Sequence, residues 1–256
     1  MFKVIFQFII FSLFITFSVY SKNYEQIIIN GNERISDETI LVFSEFDKDE
    51  SLNENLINDI LKRLYNSSFF KDVSIKIENN NLIINVIENP IIQTVFIEGI
   101  KRKKTEDALY EILSLKDRSS YNLSLVKKDE TLILNYLKQK GYYFSNVTSS
   151  YQDLGKNKID LLYKVELGNK AKISKISFVG DKKFKDSTLR NAIISEEYKF
   201  WKFISGKKYL NEGLINYDKR LLNNFYKNKG FFNVEINSSF ANYLGKDEFE
   251  IIYNIS

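Results

Sequence analysis

The sequence predicts an α+β protein built as three tandem β-α-α-β-β modules, each a three-stranded mixed sheet covered by two antiparallel helices. Two observations carry this expectation. First, one stretch is written three times: LINDILKRLYNSSFFKDVSI from Leu56, LILNYLKQKGYYFSNV from Leu132 and LINYDKRLLNNFYKNKGFFNVEI from Leu214. Each is an amphipathic helix, a break and a strand, because apolar residues recur at helical spacing and then alternate with polar ones. Gly141 and Gly230 mark the break in the last two copies, and Ser68 stands there in the first. Four residues back lie Leu64, Leu137 and Tyr226, and eight back lie Ile60, Ile133 and Leu222. Second, short β-type runs end at Gly31, Gly99 and Gly180, and six residues beyond each stands a capping residue: Asp37, Thr105 or Asp186.

In chain order, the first module (24–90) opens with a strand over Gln26–Asn30 and turns at Gly31. Ser36 and Asp37 cap a short helix with Ile40, Leu41 and Phe43 on its apolar side, and the second helix spans Leu52–Tyr65. Strands over Val73–Glu78 and Leu82–Ile87 form a hairpin about the Asn79–Asn81 turn. The second module (91–168) repeats this with a strand at Gln93–Glu98, a helix at Ala108–Leu113 behind Thr105, and a hairpin pairing Val147–Tyr151 with Ile159–Glu166. The third (171–256) starts with a strand over Ile173–Val179 and is longer by an insertion, Glu196–Lys208, that carries the only Trp. In each module the last strand is expected at the centre, since it must pair with its hairpin partner and can take the first strand in parallel. At about 65 to 80 residues each, the modules are marginal alone.

Residues 1–21 stand apart. Lys3 precedes an apolar run from Val4 to Val19, and Val19-Tyr20-Ser21 fits a cleavage site, so the preferred assignment is a secretory signal peptide. The alternative is an uncleaved membrane anchor. Either exports the rest of the chain.

The composition excludes several functions. With no Cys and no His, neither a disulfide framework, a zinc site, nor a Ser-His-Asp or Cys-His constellation can be built. The 37 basic and 33 acidic residues are intermixed, leaving +4 with no nucleic-acid footprint. One Pro and 10 Gly among 256 residues leave no low-complexity linker. No cofactor or metal is expected, a cluster of Asp47, Asp49 and Glu50 lacking the spacing of a calcium loop. The chain reads as a binding protein and not an enzyme.

The repeated strand-Gly-helix-helix-Gly-aromatic-strand-strand unit behind an export signal resembles the POTRA (polypeptide-transport-associated) domains of the outer-membrane β-barrel assembly factor BamA. The third module is the most specific, with Phe200-Trp201-Lys202-Phe203, Tyr209, Leu214-Ile215-Asn216-Tyr217-Asp218 and Tyr226-Lys227-Asn228-Lys229-Gly230-Phe231. The resemblance implies a periplasmic scaffold at the cell outer membrane that binds unfolded outer-membrane protein clients and assembly-complex lipoproteins. Relatives continue through further modules into a membrane barrel, whereas nothing here supplies barrel strands, and the chain is expected to be an N-terminal part or a truncated product. The alternatives are a POTRA-bearing, membrane-anchored division or adhesion protein and another POTRA transporter, of the two-partner secretion or TamA kind.

With the last strand central, the strand Val234, Glu235, Ile236, Asn237, Ser238, Ser239 and Phe240 becomes a sheet edge, expected to take up extended client segments by β-augmentation. Trp201 and Phe203 are expected either to plug the third module's core, the favoured role for large aromatics, or to contact a partner.

Overall fold

The computed structural model describes residues 25–46, 53–201 and 205–256, with the backbone alone at 238–241. The proposed signal segment, the Asp47–Glu50 cluster and Phe203 lie outside the described residues. The chain divides into one compact unit ending at Asn89 and a second running Pro90–Ser256.

The first unit comprises β1 (Gln26–Asn30), α1 (Asp37–Ser44), α2 (Glu54–Asn66), β2 (Phe70–Glu78) and β3 (Asn81–Glu88). Its sheet order is β1-β3-β2, with β3 central, parallel to β1 and antiparallel to β2. Leu82, Ile84 and Val86 alternate inward on β3 and meet Leu56, Ile60 and Leu64, which recur every four residues along α2. The Asn53 side chain caps α2 by accepting from Leu56 N at 2.8 Å, so the helix starts two residues beyond the Leu52 read from the sequence.

The second unit holds the other two modules. One comprises β4 (Ile91–Glu98), α3 (Lys103–Ile112), α4 (Leu123–Gln139), β5 (Asn146–Gly155) and β6 (Lys158–Glu166), in sheet order β4-β6-β5. The other comprises β7 (Lys172–Gly180), α5 (Asp186–Ala192), a 3-10 turn (Gly206–Lys208), α6 (Glu212–Asn228), β8 (Ile236–Gly245) and β9 (Glu248–Ile255), in order β7-β9-β8. Both sheets are mixed, with the last strand central. The fold is therefore the α+β one expected, three times over. Asn122 and Asn211 cap α4 and α6 as Asn53 caps α2, at 3.1 and 2.9 Å.

The glycine register has a steric cause. Gly31, Gly99 and Gly180 have φ of +86°, +91° and +88°, and a Cβ there would lie 2.1, 1.8 and 2.2 Å from the carbonyl oxygens of Val86, Val165 and Ile255. Gly141 and Gly230 end their helices at φ +90° and +88°, and Ser68 adopts φ +63° at the matching place.

None of the three residues six beyond the glycines is itself the N-cap. Thr105 lies within α3, because the Arg102 carbonyl accepts from Thr105 N and Glu106 N and starts the helix at Lys103. Glu106 and Asp107 then pair with Lys103 across that first turn. Asp37 and Asp186 are the first residues of their helices, one past the caps Ser36 and Lys185.

The two modules of the second unit are joined directly. Ala171 N donates to Gly141 O at 2.9 Å, Leu210 N donates to Ala171 O at 2.9 Å, and the Asn211 amide donates to Gln139 O. Phe144 packs between Tyr243 and Phe249, with centroids 5.7 and 5.9 Å away.

Candidate functional site

A three-stranded sheet has two borders, and in the second unit its own chain closes one of them. Along β4, Ile92 N donates to Ser119 O and Arg118 N to Ile92 O, at 2.9 and 2.7 Å. A β-bulge between Ile92 and Thr94 then turns Val95 N to the Asp117 carboxylate at 2.8 Å. β7 repeats the device with other residues: Tyr198 N donates to Ile173 O at 2.6 Å, Ile176 N reaches Glu197 Oε1 at 3.0 Å, and Arg190 donates to Ile176 O at 2.8 Å. Exposed rows of backbone donors and acceptors invite pairing, and these contacts occupy them.

The opposite border of the third module's sheet is β8. Of the seven residues expected there, Val234 and Glu235 precede the strand, and Ile236 to Phe240 lie in it. Val234 packs against the module's core. Glu235 and Ser256 exchange both backbone bonds, at 2.9 and 3.1 Å. Antiparallel ladders alternate bonded and non-bonded pairs. Asn237, opposite Asn254, therefore bonds toward β9, while the backbone groups of Ile236 and Ser238 face the open side. The Ile236 side chain is buried in the core. Beyond Ser239 the register slips before Asn242, placing Phe240 and Ala241 in a bulge. The regular stretch thus presents two donors and two acceptors.

A family model described as POTRA, surface antigen variable number repeat, matches residues 23–89, 90–168 and 171–256. The chain belongs to the POTRA family. These POTRA modules are similar to the outer membrane protein assembly factor BamA of Neorickettsia risticii (strain Illinois), at 24% identity over 220 residues, or 86% of this chain and 30% of that protein. Similarity to BamA of Neisseria meningitidis serogroup B is 24% over 215 residues, or 83% and 27%. The chain spans under a third of the length of these two relatives. Among solved structures, Haemophilus influenzae BamA POTRA3-5 aligns at a TM-score of 0.41 and 20% identity, covering 91% of this chain and 96% of that one. The N-terminal domain of Omp85 from Thermosynechococcus elongatus aligns at 0.44 and 13%, covering 91% and 95%.

The middle POTRA module has the same open border in β5, and there the register runs unbroken from Asn146↔Glu166 to Asp153↔Ile159. Bulge positions separate the two borders, and nothing in the sequence signals them. In the first module, the Tyr65 hydroxyl donates to the Asp72 carboxylate at 2.8 Å and accepts from Val73 N at 3.1 Å, covering that point of β2.

Trp201 does not plug the core of its POTRA module. It is 56% exposed, and Phe200 meets it edge-to-face at 4.7 Å while itself 73% exposed. Phe200 and Trp201 follow Tyr198, whose N–H bonds to Ile173 O, and neither reaches the core.

Sequence reasoning missed what holds the second helix against the sheet. Asp129 and Asp218 are fully buried. Asp218 accepts from Ile194 N at 2.7 Å, Ser195 N at 3.2 Å and the Tyr253 hydroxyl at 2.9 Å. Asp129 accepts from Ser114 N at 2.7 Å, Leu115 N at 2.9 Å and the Tyr163 hydroxyl at 3.1 Å. Burial, and then the adjacent carboxylate charge, raises both phenols well above the usual tyrosine range. The signal was available: each Asp stands twelve residues before its helix-ending glycine. In the first module the same positions are Leu56 and Ile84, both buried.

Proposed function

We propose that the chain is the periplasmic scaffold portion of an outer-membrane protein assembly factor. It receives unfolded outer-membrane protein segments on its open sheet borders, works with lipoprotein partners, and passes clients to a membrane β-barrel. The observation that supports this most is the one-sided border: β7 is closed by Glu197, Arg190 and Tyr198, while β8 keeps outward backbone groups at Ile236 and Ser238. An extended client can bond to such a border whatever its side chains. The names of the relatives supply the client class. Four ladder bonds at roughly 0.5 to 1.5 kcal/mol each, less the ordering of the peptide, give about millimolar affinity. Release then needs no nucleotide, and the assignment includes no catalytic step.

The test is Ser238→Pro in the full chain. It deletes an outward N–H without touching the β9 ladder or the buried Ile236 side chain. Amide shifts along Ile236–Ser239 on titration with an extended outer-membrane protein peptide are expected in the parent and lost in the folded variant. Equal peptide binding by both overturns augmentation at β8.

A further inference from the structure

Where the two modules of the second unit meet, they enclose a cleft of about 650 Å³, within the range of small-molecule sites. Its apolar lining is Leu167 and Leu214, both half-buried, backed by the fully buried Leu137 and Leu210. Its lining holds five cations, Lys101, Arg102, Lys140, Lys170 and Lys207, and no Asp or Glu among the described residues.

Lys170 is the central cation. Its ammonium sits between two tyrosine rings, 4.8 Å from the centroid of Tyr142 and 4.8 Å from that of Tyr209. The buried Lys208 approaches the same Tyr209 ring at 5.5 Å. No carboxylate among the described residues forms an ion pair with Lys170, and the rings only partly offset its loss of water. Burial first, and then the charges of Arg102, Lys140 and Lys208, lower its pKa. Like charges gathered around Lys170 cost stability, and a ligand of opposite charge recovers that cost. Charge alone does not describe the cleft, because its base is apolar. A free inorganic anion would engage the rim and leave the half-buried Leu167 and Leu214 facing water.

The geometry points to a binding site for a phosphate-bearing amphiphile, an anionic phospholipid monomer whose phosphate meets Lys170 and Arg102 while its acyl chain covers Leu167 and Leu214. The site is built from both modules: Arg102 and Lys140 come from one, Tyr209 and Leu210 from the other, and Lys170 from the join. It is separate from the β8 border and does not depend on it.

The probe is dihexanoyl phosphatidylglycerol, kept below its micelle concentration and titrated into the full chain. Amide shifts at Gly141, Lys170 and Asn211 are expected to saturate together. Lys170→Gln and Arg102→Gln should each weaken binding about tenfold, the loss of one charge-assisted contact. Arg102 is exposed, so its variant tests the site even if Lys170→Gln disturbs the join. Dihexanoyl phosphatidylcholine and inorganic phosphate should bind several-fold more weakly. The proposal is overturned by shifts that do not saturate, by affinities unchanged in both folded variants, by phosphate matching the lipid, or by an acidic peptide displacing it from the cleft.

Discussion

Asp218→Ala isolates the buried carboxylate on which the third module closes. The carboxylate accepts from three groups, the N–H of Ile194 and of Ser195 and the hydroxyl of Tyr253, in a site with no exposure. Truncation leaves those donors without their acceptor, at about 1 to 3 kcal/mol for each that water cannot reach, so a total of about 3 to 5 kcal/mol is expected. Tyr253→Phe removes only one of the three bonds and keeps the ring stacked on Phe178 at 5.6 Å. Its cost should be nearer 1 kcal/mol. A domain is stable by only about 5 to 15 kcal/mol, so the first variant should approach unfolding of the third module and the second should not. Hydrogen exchange at the Ile194 and Ser195 amides is the assay, because it reports this module without assuming that the whole chain unfolds in one step. Protection should collapse in Asp218→Ala and fall modestly in Tyr253→Phe. Equal protection in the two variants would refute the assignment of the carboxylate as the closing group.

Gly230→Val should cost about 1 to 2 kcal/mol from backbone strain alone, since φ is +88° and no atom lies within 4 Å of the added Cβ. Gly141→Val should cost more, because Tyr209 Cβ lies 3.0 Å away, and thermal melts of the two variants will rank them. Ser68→Gly should raise the first module's melting temperature slightly, relieving a left-handed serine at φ +63° by up to about 1 kcal/mol, and an unchanged or lower midpoint counts against strain there. The raised phenols set an alkaline limit: Tyr163 and Tyr253 favour the protonated form when folded, so their contribution is complete below the unfolded value of about 10 and is lost as pH rises beyond it toward the folded values. Denaturant titrations at rising pH should show stability falling above about pH 10, less steeply in Tyr163→Phe with Tyr253→Phe.

The module order, the central last strand and the glycine register were legible because they follow from local chemistry that repeats. A glycine must stand where the backbone meets a carbonyl oxygen at 1.8 to 2.2 Å from any Cβ, and this recurs in all three modules. The caps Asn53, Asn122 and Asn211 were not read from the sequence, since they lie at unequal distances from the helix ends, α2 being a turn shorter than α4 and α6. The Asp129 and Asp218 positions were overlooked because a polar residue on a helix is expected to face water, and only the fold reveals a tyrosine opposite. Border closure was illegible: Asp117 and Glu197 act alike, yet stand in loops of unlike sequence. Trp201 was misjudged because size predicts burial only where the backbone leads to a core, and at Trp201 it does not.

The closed β4 and β7 borders set a valence. A sheet open on both sides is bifunctional, like a monomer that can propagate at either end, and such units stack into fibres. With one side consumed internally, each sheet of the second unit is monofunctional. Two such sheets that meet border to border terminate one another, and a guest strand that arrives first forestalls even that. Local crowding of these modules therefore favours the pairing of single sheets over growth of one continuous sheet, with Asp117 and Glu197 acting as the chain stoppers.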